Sequence, residues 1–232
     1  MIAMNKSCVI SLKDVSHTFG EKTVLKEVNL NVNEGDFMAI TGPNGGGKTT
    51  ILRLLLHLLK PTKGSVEYYA HGVPAPHLKF GSLPQKSAID SRFPITVEEV
   101  VASGLRMRPL HRFTDEERRQ ISEAIDMVRL SEVRDRAIGH LSGGQLQRAL
   151  LGRAIISKPS VLVLDEPLNY IDKQFEEHLY QMMEHLSATT TIILVSHEMS
   201  VISGMANRHI IISGGRVHEC VAHHHFVRPE CE

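Results

Sequence analysis

The chain has 232 residues, enough for one hydrophobic core and a smaller added lobe. Its hydrophobic share of 42% and charged share of 22% are typical of a globular protein. Lys and Arg together number 26, as do Asp and Glu, so bulk charge favours neither nucleic acid nor an anionic membrane as a partner. No apolar run reaches the roughly 20 residues of a membrane-spanning helix, and Lys6 and Ser7 interrupt any signal-peptide core. We therefore expect a cytosolic chain with reduced cysteines, since its three cysteines form no CxxC pair.

The first sixty residues predict strands and then a helix. Residues 8–15 and 28–32 alternate apolar and polar side chains, as half-buried strands do. Residues 37–40 form a short apolar run between Gly35 and Gly42, which is typical of a buried strand. A glycine-rich turn follows, and then an apolar-periodic helix is predicted over residues 48–59, ended by Lys60-Pro61.

The rest of the chain predicts helices followed by a parallel βαβ unit. Residues 97–104, 115–130 and 146–156 are predicted to be helical, with Thr114 and Glu117 forming a capping box on the second helix. Residues 161–164 and 191–195 are wholly apolar, as parallel strands covered on both faces are, and residues 173–186 predict the helix between them. This order predicts an α/β core with a helical lobe inserted at about residues 85–141.

A phosphate-binding loop is predicted between the strand over 37–40 and the helix that follows it. The segment matches G-x-x-x-x-G-K-[ST]. Its glycines would let backbone N–H groups surround phosphates, Lys48 would reach the β- and γ-phosphates of ATP, and the Thr49 hydroxyl would ligate Mg²⁺. The alternative is an ordinary glycine-rich loop. The predicted residues are Gly42, Pro43, Asn44, Gly45, Gly46, Gly47, Lys48 and Thr49.

Two carboxylates, Asp165 and Glu166, end the apolar run over residues 161–164. A buried strand does not usually end on paired acids without a cation, and ligands bind at the carboxyl edge of parallel sheets. We expect Asp165 to hold Mg²⁺ and Glu166 to polarise the attacking water. A solvated turn is the alternative, and the nearby phosphate loop disfavours it.

The segment Leu141-Ser142-Gly143-Gly144-Gln145 resembles the signature of the ABC transporter family. A Ser and two glycines before a helix would make a second anion-binding N-terminus. The resemblance implies that Ser142, Gly143, Gly144 and Gln145 of one subunit close on the ATP of another, in a head-to-tail homodimer with two composite sites. It also implies an α/β P-loop ATPase fold with an antiparallel β subdomain. The single domain, residues 1–232, would comprise a core (1–84 and 142–217), an inserted helical subdomain (85–141) and a tail (218–232).

Further positions match the family one by one. The resemblance implies that Phe19 stacks on adenine, although a core aromatic is the alternative, and that Thr50 joins the phosphate site. It implies that Gln85 contacts Mg²⁺ and links the core to the helical subdomain. His197, at the end of the last apolar strand, would contact the γ-phosphate. One departure is Asn169-Tyr170, where Ser-Ala is commoner in the family.

The segment from Gln85 through Ile89-Asp90 to Phe93-Pro94-Ile95-Thr96-Val97 resembles bacterial importers of zinc, manganese or iron. The resemblance implies a membrane permease that docks here, a substrate-binding protein outside the membrane, and a position on the cytoplasmic face of the inner or plasma membrane. The alternatives are an importer of siderophores or vitamin B12, an exporter half, and a non-transport ABC ATPase acting on DNA or the ribosome.

The C-terminal tail is rich in residues that can ligate metals. It contains His218, Cys220, three consecutive histidines over 223–225, and Cys231. The tail could bind an imported ion, but no fixed zinc spacing is present, and a frayed terminus is the alternative.

Overall fold

A computed structural model describes residues 7–84, 94–105, 112–196 and 204–220. The strands are β1 Cys8–Phe19, β2 Lys22–Asn33, β3 Phe37–Thr41, β4 Lys63–Ala70, β5 Val73–Pro74, β6 Phe80–Leu83, β7 Val161–Asp165, β8 Thr191–Val195, β9 Arg208–Ser213 and β10 Arg216–Cys220. The helices are α1 Lys48–Leu55, α2 Val97–Ala102, α3 Asp115–Met127, α4 Gly143–Ile155 and α5 Lys173–Ser187. Within the described ranges, no helix has the length and apolar character that a membrane span requires.

The N-terminal strands belong to a four-stranded antiparallel sheet in the order β2-β1-β4-β5. Strands β1 and β2 are longer than their alternation predicts, and they continue to a tight turn at Gly20, whose φ of 56° suits glycine. Four register shifts between these strands explain the difference, because each bulge breaks the strict alternation that sequence patterns detect. The predicted antiparallel β subdomain is confirmed.

A six-stranded sheet in the order β10-β9-β3-β8-β7-β6 forms the centre of the molecule. Strands β7 and β8 are parallel neighbours, and all ten of their residues are buried, which confirms the predicted βαβ unit with α5. Strand β3 lies parallel to β8 and β9. The carboxyl ends of β3, β7 and β8 therefore meet at one edge of the sheet, where Thr41, Asp165 and Val195 lie.

Apolar side chains pack against both faces of this sheet. Val161 and Val163 face a core shared with the antiparallel sheet and α1. Leu162 and Leu164 face the opposite way, into a core shared with α2, α3, α4 and α5. The alternation along β7 explains why its sequence is continuously apolar, since each successive residue enters a different core.

The predicted helices exist, but their ends differ. Helix α1 ends at Leu55 instead of residue 59, because His57 has a left-handed backbone with φ 59° and Leu58 is 72% exposed. Helix α3 has the predicted capping box of Thr114 and Glu117 and ends before Arg129, whose φ is 54°. Helix α4 begins at Gly143, three residues earlier than predicted, because a second capping box starts it.

Candidate functional site

The loop between β3 and α1 has the backbone of a phosphate cradle. Gly42, Gly45 and Gly47 have φ values of 143°, 74° and 112°, which residues other than glycine rarely adopt. A Cβ added at Gly42 would lie 2.1 Å from the carbonyl oxygen of Ile212, and one at Gly47 would lie 2.8 Å from Leu25. Backbone conformation therefore favours glycine at all three positions, as the motif predicts, and close packing adds to this at Gly42 and Gly47 but not at Gly45.

Lys48 lies at the start of α1 with its side chain turned back into this loop. Its Nζ donates to the carbonyl oxygens of Gly42 at 2.8 Å and Pro43 at 3.1 Å, and the residue is only 7% exposed. The N-terminal N–H groups of α1 point in the same direction as the helix dipole. An ammonium group and a helix N-terminus together make a site for a polyanion.

The structure brings this loop together with the two carboxylates that follow β7. A cavity of about 610 Å³ lies between them, large enough for a nucleotide. Asp165 is 6% exposed as the last residue of β7, and Glu166 follows it. The lining residues are Val24, Asn44, Gly45, Gly47, Lys48, Thr49, Thr50, Asp165 and Glu166.

Oxygen donors in this cavity suit Mg²⁺. The Thr49 hydroxyl and the Asp165 carboxylate line the same space, and Mg²⁺ prefers oxygen ligands and shares them with substrate phosphates. The two predicted metal ligands within the described residues therefore fit the ion. The third, Gln85, lies outside the described residues, as does His197; the preceding Ser196 is buried at the end of β8.

Glu166 has an unusual backbone that its neighbours hold in place. Its φ is 51°, in the left-handed region that non-glycine residues avoid. Its N–H donates to the carbonyl oxygen of Val195 at 2.9 Å, and its own carbonyl accepts from Gln147 Nε2 at 3.4 Å. Its carboxylate Oε2 accepts from Asn169 Nδ2 at 2.5 Å. Glu166 is thus held by contacts from β8, from α4 and from Asn169 in the turn that follows Glu166.

The signature segment forms the N-terminus of α4 but does not reach the cavity of its own chain. Ser142 Oγ accepts from the N–H of Gln145 at 3.1 Å, and Gln145 Oε1 accepts from the N–H of Ser142 at 2.9 Å. In this capped turn Ser142 is exposed and Gly143, Gly144 and Gln145 are partly buried, so the N-terminus of α4 is partly accessible to an incoming anion. Residues 142–145 are absent from the cavity lining among the described residues, so one chain brings together only part of the predicted site.

Phe19 lies at the end of β1, where its side chain is 47% exposed. It does not line the cavity, although Val24 on the adjacent strand does. Its ring meets the buried His17 imidazole edge to face, with 4.5 Å between ring centroids. An exposed aromatic ring is consistent with stacking on a base, and 47% exposure argues against the alternative of a core aromatic.

Two residues near the site escaped the sequence analysis, and a third, Asn169, was noted there only as a departure from the family. Val24 lines the cavity, and Gln147 and Asn169 both bind Glu166. Gln147 had a visible signal, since it is a polar residue within the buried apolar face of a predicted helix. Val24 had none, because its contact depends on the packing of β2 against the phosphate loop.

No cluster of three or more His, Cys, Asp or Glu side chains that could hold a metal ion occurs within the described part of the chain. His218 and Cys220 lie on β10, whereas the histidines at 223–225 and Cys231 fall outside the described residues. The hypothesis of a metal-binding tail therefore stays a prediction.

Comparison with known proteins places these motifs in one family. The family model described as "ABC transporter" matches residues 25–169. A probable metal transport system ATP-binding protein of Chlamydia trachomatis is 40% identical over 201 residues, 85% of each chain. A high-affinity zinc uptake system ATP-binding protein of Bacillus subtilis is 34% identical, covering 89% of this chain and 92% of that one.

Solved structures agree with the sequence relatives. A dimeric ATP-binding cassette in a post-hydrolysis state, bound to ADP and Pi, has a TM-score of 0.80 and 28% identity. It matches 92% of this chain and 99% of its own. Because the family match, the curated relatives and the cassette fold all agree, the chain belongs to the ABC transporter family, as an ATP-binding subunit whose hydrolysis of ATP is coupled to transport.

Proposed function

We propose that this chain powers the import of a divalent metal ion, zinc, manganese or iron, by hydrolysing ATP on the cytoplasmic face of a membrane. The observation that carries the ATPase part is the cavity shared by Lys48 and Thr49 on one side and Asp165 and Glu166 on the other. The cargo part is supported by the relatives, whose names describe metal transport and zinc uptake. A membrane permease, and outside the membrane a substrate-binding protein, would complete the importer.

The residues around the cavity supply the parts that phosphoryl transfer needs. Lys48 and the N-terminus of α1 would neutralise the β- and γ-phosphates, and Phe19 would stack on adenine. Thr49, Asp165 and Gln85 would hold Mg²⁺, which when bound neutralises phosphate charge. Glu166 would orient and polarise the attacking water, with His197 near the γ-phosphate.

Two chains would complete each site. Because residues 142–145 lie away from the cavity of their own chain, their partly exposed helix N-terminus would bind the ATP held by a second subunit. The dimeric cassettes among the structural relatives support this arrangement. The helical segments between β6 and α4 would form the subdomain that contacts the permease.

Uptake by cells that lack this chain tests the cargo. We expect uptake of at least one of zinc, manganese and iron to fall at low external concentration, and to return with the wild-type chain but not with Lys48→Ala. Siderophore-bound iron and vitamin B12 uptake should be unchanged. Normal uptake of all three free ions would refute metal import, and a defect confined to siderophore or vitamin B12 uptake would favour that class of importer.

A further inference from the structure

Gln147 is a buried polar side chain on α4 that the proposed chemistry does not use. It is 2% exposed and lies among buried apolar residues, with Leu146 before it and Ala149 and Leu150 after it. Burying an amide is unfavourable unless it is hydrogen-bonded, because water would satisfy it outside. Its location therefore requires a specific contact that offsets the desolvation.

Within the described part of the chain, this side chain hydrogen-bonds to the segment that carries Glu166. Its Nε2 donates to the Glu166 carbonyl oxygen at 3.4 Å, at the long end of the hydrogen-bond range. Its Oε1 is buried and has no hydrogen-bond partner among the described residues. The amide of Gln147 is thus only half satisfied. Its hydrogen bond to the Glu166 carbonyl is the interaction that offsets part of the cost of burying it.

The Glu166 peptide needs this support because its backbone is in the left-handed region. Such a residue costs about 1 kcal/mol or more and persists where its surroundings over-determine it. The N–H is held by Val195 on β8, and the carbonyl accepts from Gln147 on α4 at 3.4 Å and from the N–H of Asn169 at 3.2 Å. Asn169 belongs to the same turn as Glu166, so Gln147 is the contact that ties this carbonyl to α4, and its removal is expected to shift the peptide and its carboxylate.

A second contact joins the same two segments. A Cβ added at Gly144 would lie 2.6 Å from the carbonyl oxygen of Tyr170, so the first turn of α4 packs at backbone distance on the segment after Glu166. Gly144 and Gln147 are three residues apart and lie on one face of α4. Both contacts lie on this face of α4, so a shift of α4 would also move the segment that carries Glu166.

We propose that Gln147 is a positioning residue through which the signature helix places Glu166 for hydrolysis. The inference rests on the proposed roles of Glu166 and of residues 142–145. Since the N-terminus of α4 would bind the ATP of the second subunit and Glu166 would act on the ATP of its own, this contact joins the two sites of a dimer through one chain.

Gln147→Met tests the inference, because methionine has a similar length but no amide. We expect kcat for ATP hydrolysis by the full chain to fall about 10-fold to 100-fold, as misplacement of a catalytic group does. The Kd for ATP should change by less than about two-fold, since ground-state binding does not involve Gln147. Gln120→Met is the control, because Gln120 is on α3 and donates to Glu116 at the surface; its kcat should equal that of the wild type.

Gln147→Glu provides a second measurement, the pH dependence of kcat, which a purely structural role of Gln147 would not affect. A protonated glutamic acid can donate to the Glu166 carbonyl, whereas an ionised one cannot. The kcat of this variant relative to wild type should therefore rise as pH falls, while the ratio for Gln147→Met stays flat. The wild type and the variants share the ionisable groups on the two contacting segments, and Gln147→Met is measured at the same pH values to show their contribution; they are Arg148, Asp165, Glu166, Tyr170 and Asp172.

The outcomes separate this inference from the proposed function. Wild-type kcat in Gln147→Met, or a parallel loss of kcat, ATP affinity and melting temperature, would overturn the positioning role. If Gln147→Met does not fold, the test rests on Gln147→Glu. A kcat ratio of Gln147→Glu to wild type that does not change with pH would then overturn the positioning role. Glu166→Gln is measured alongside: retained turnover there would overturn the proposed chemistry and this role together, whereas loss there with none in Gln147→Met would overturn the Gln147 role alone.

Discussion

Two residues of the site have positive φ for opposite reasons. At Gly42 the constraint is steric, since φ is 143° and a Cβ would lie 2.1 Å from the Ile212 carbonyl oxygen. At Glu166 the proposed chemistry needs a carboxylate, and the left-handed backbone is held by hydrogen bonds at a residue other than glycine. The first position excludes every side chain, and the second accepts one at a cost that the neighbouring segments offset.

Gly42→Ala is expected to distort the phosphate loop. The added methyl group must move the Ile212 backbone or the loop itself, so we expect a loss of about 2 kcal/mol or more in the free energy of unfolding. ATP affinity should fall as well. Denaturant titration and nucleotide binding measure the two effects. Gly72→Ala is the matched control, because φ is 77° there but nothing lies within 4 Å of the added Cβ; its cost should be about 1 kcal/mol with unchanged ATP affinity.

Glu166→Gln is expected to separate ATP binding from hydrolysis. The amide keeps the shape of the side chain but cannot polarise water as a carboxylate does, so turnover should fall by roughly 100-fold or more. ATP should still bind and should hold two chains together, which size-exclusion chromatography with and without ATP would detect. Glu116→Gln, on the exposed face of α3, is the control. Unchanged turnover in Glu166→Gln would remove this residue from catalysis.

Among the elements, α2 is joined closely to the segment that leads to the signature. The N–H groups of Val97 and Glu98 donate to the carbonyl oxygens of Arg136 and Arg134, both at 3.1 Å. Arg134 in turn binds both carboxylate oxygens of Glu98, at 2.7 and 2.9 Å, and donates to Ser122 Oγ on α3. The start of α2 therefore cannot move without moving the chain a few residues before Ser142.

Arg134→Met is expected to lower stability in a pH-dependent way. The hydrogen bond from Arg134 holds the pKa of the Glu98 carboxyl below its usual range, against the opposing effect of burial. A lowered folded-state pKa adds stability above the unfolded-state pKa, and that stability is lost as pH falls through the lowered value. The variant should be about 1 kcal/mol less stable than wild type near pH 7, and the difference should shrink below about pH 4.

Denaturant titrations at several pH values measure this difference. Arg119→Met is the comparison, because Arg119 pairs with Glu116 and Glu123 at the surface, where ion pairs contribute little. We expect a smaller loss there. An equal loss in both variants, or a difference for Arg134→Met that persists at pH 3, would contradict the assigned ion pair.

At the scale of the whole molecule, Arg208 ties the two sheets together. It lies on β9 and donates to the Asn31 carbonyl oxygen on β2 at 2.6 Å. It also binds Asp36 Oδ2 at 2.8 Å and both carboxylate oxygens of Glu219 on β10, at 2.6 and 2.8 Å. Hydrogen bonds to Glu219 and Asp36 raise the pKa of the Arg208 guanidinium, so the group stays charged and holds three parts of the chain.

Arg208→Met is expected to destabilise the protein far more than the loss of a surface charge. Asp36 is only 2% exposed, and the variant leaves its buried carboxylate without this cation. Breaking a buried ion pair by removing one partner costs about 3 kcal/mol. Thermal or denaturant unfolding measures the loss. Lys13→Met, which breaks the exposed pair with Glu67, is the control and should cost much less, because solvent screens that pair.

The elements that could be predicted are those with strong local patterns. Strands β7 and β8 are continuous apolar runs because both faces of the sheet are covered there. The capping box of α3 depends on only two residues, Thr114 and Glu117, at a fixed spacing. Strand β10 was missed, since Arg216, His218, Glu219 and Cys220 are exposed and the strand exists through its pairing with β9. Edge strands of this kind have little burial and therefore little pattern.

The sequence by itself determined the phosphate loop, the two carboxylates after β7 and the signature segment ahead of a helix, because each depends on the backbone preferences and spacing of neighbouring residues. Only the tertiary structure decided which of these lie together. It places Asp165 and Glu166 in the cavity of the phosphate loop and leaves Ser142 to Gln145 outside it. It also brings Gln147 to Glu166, nineteen residues apart in the chain. Contacts between distant residues follow from how the sheet and helices pack, and no local spacing encodes that packing.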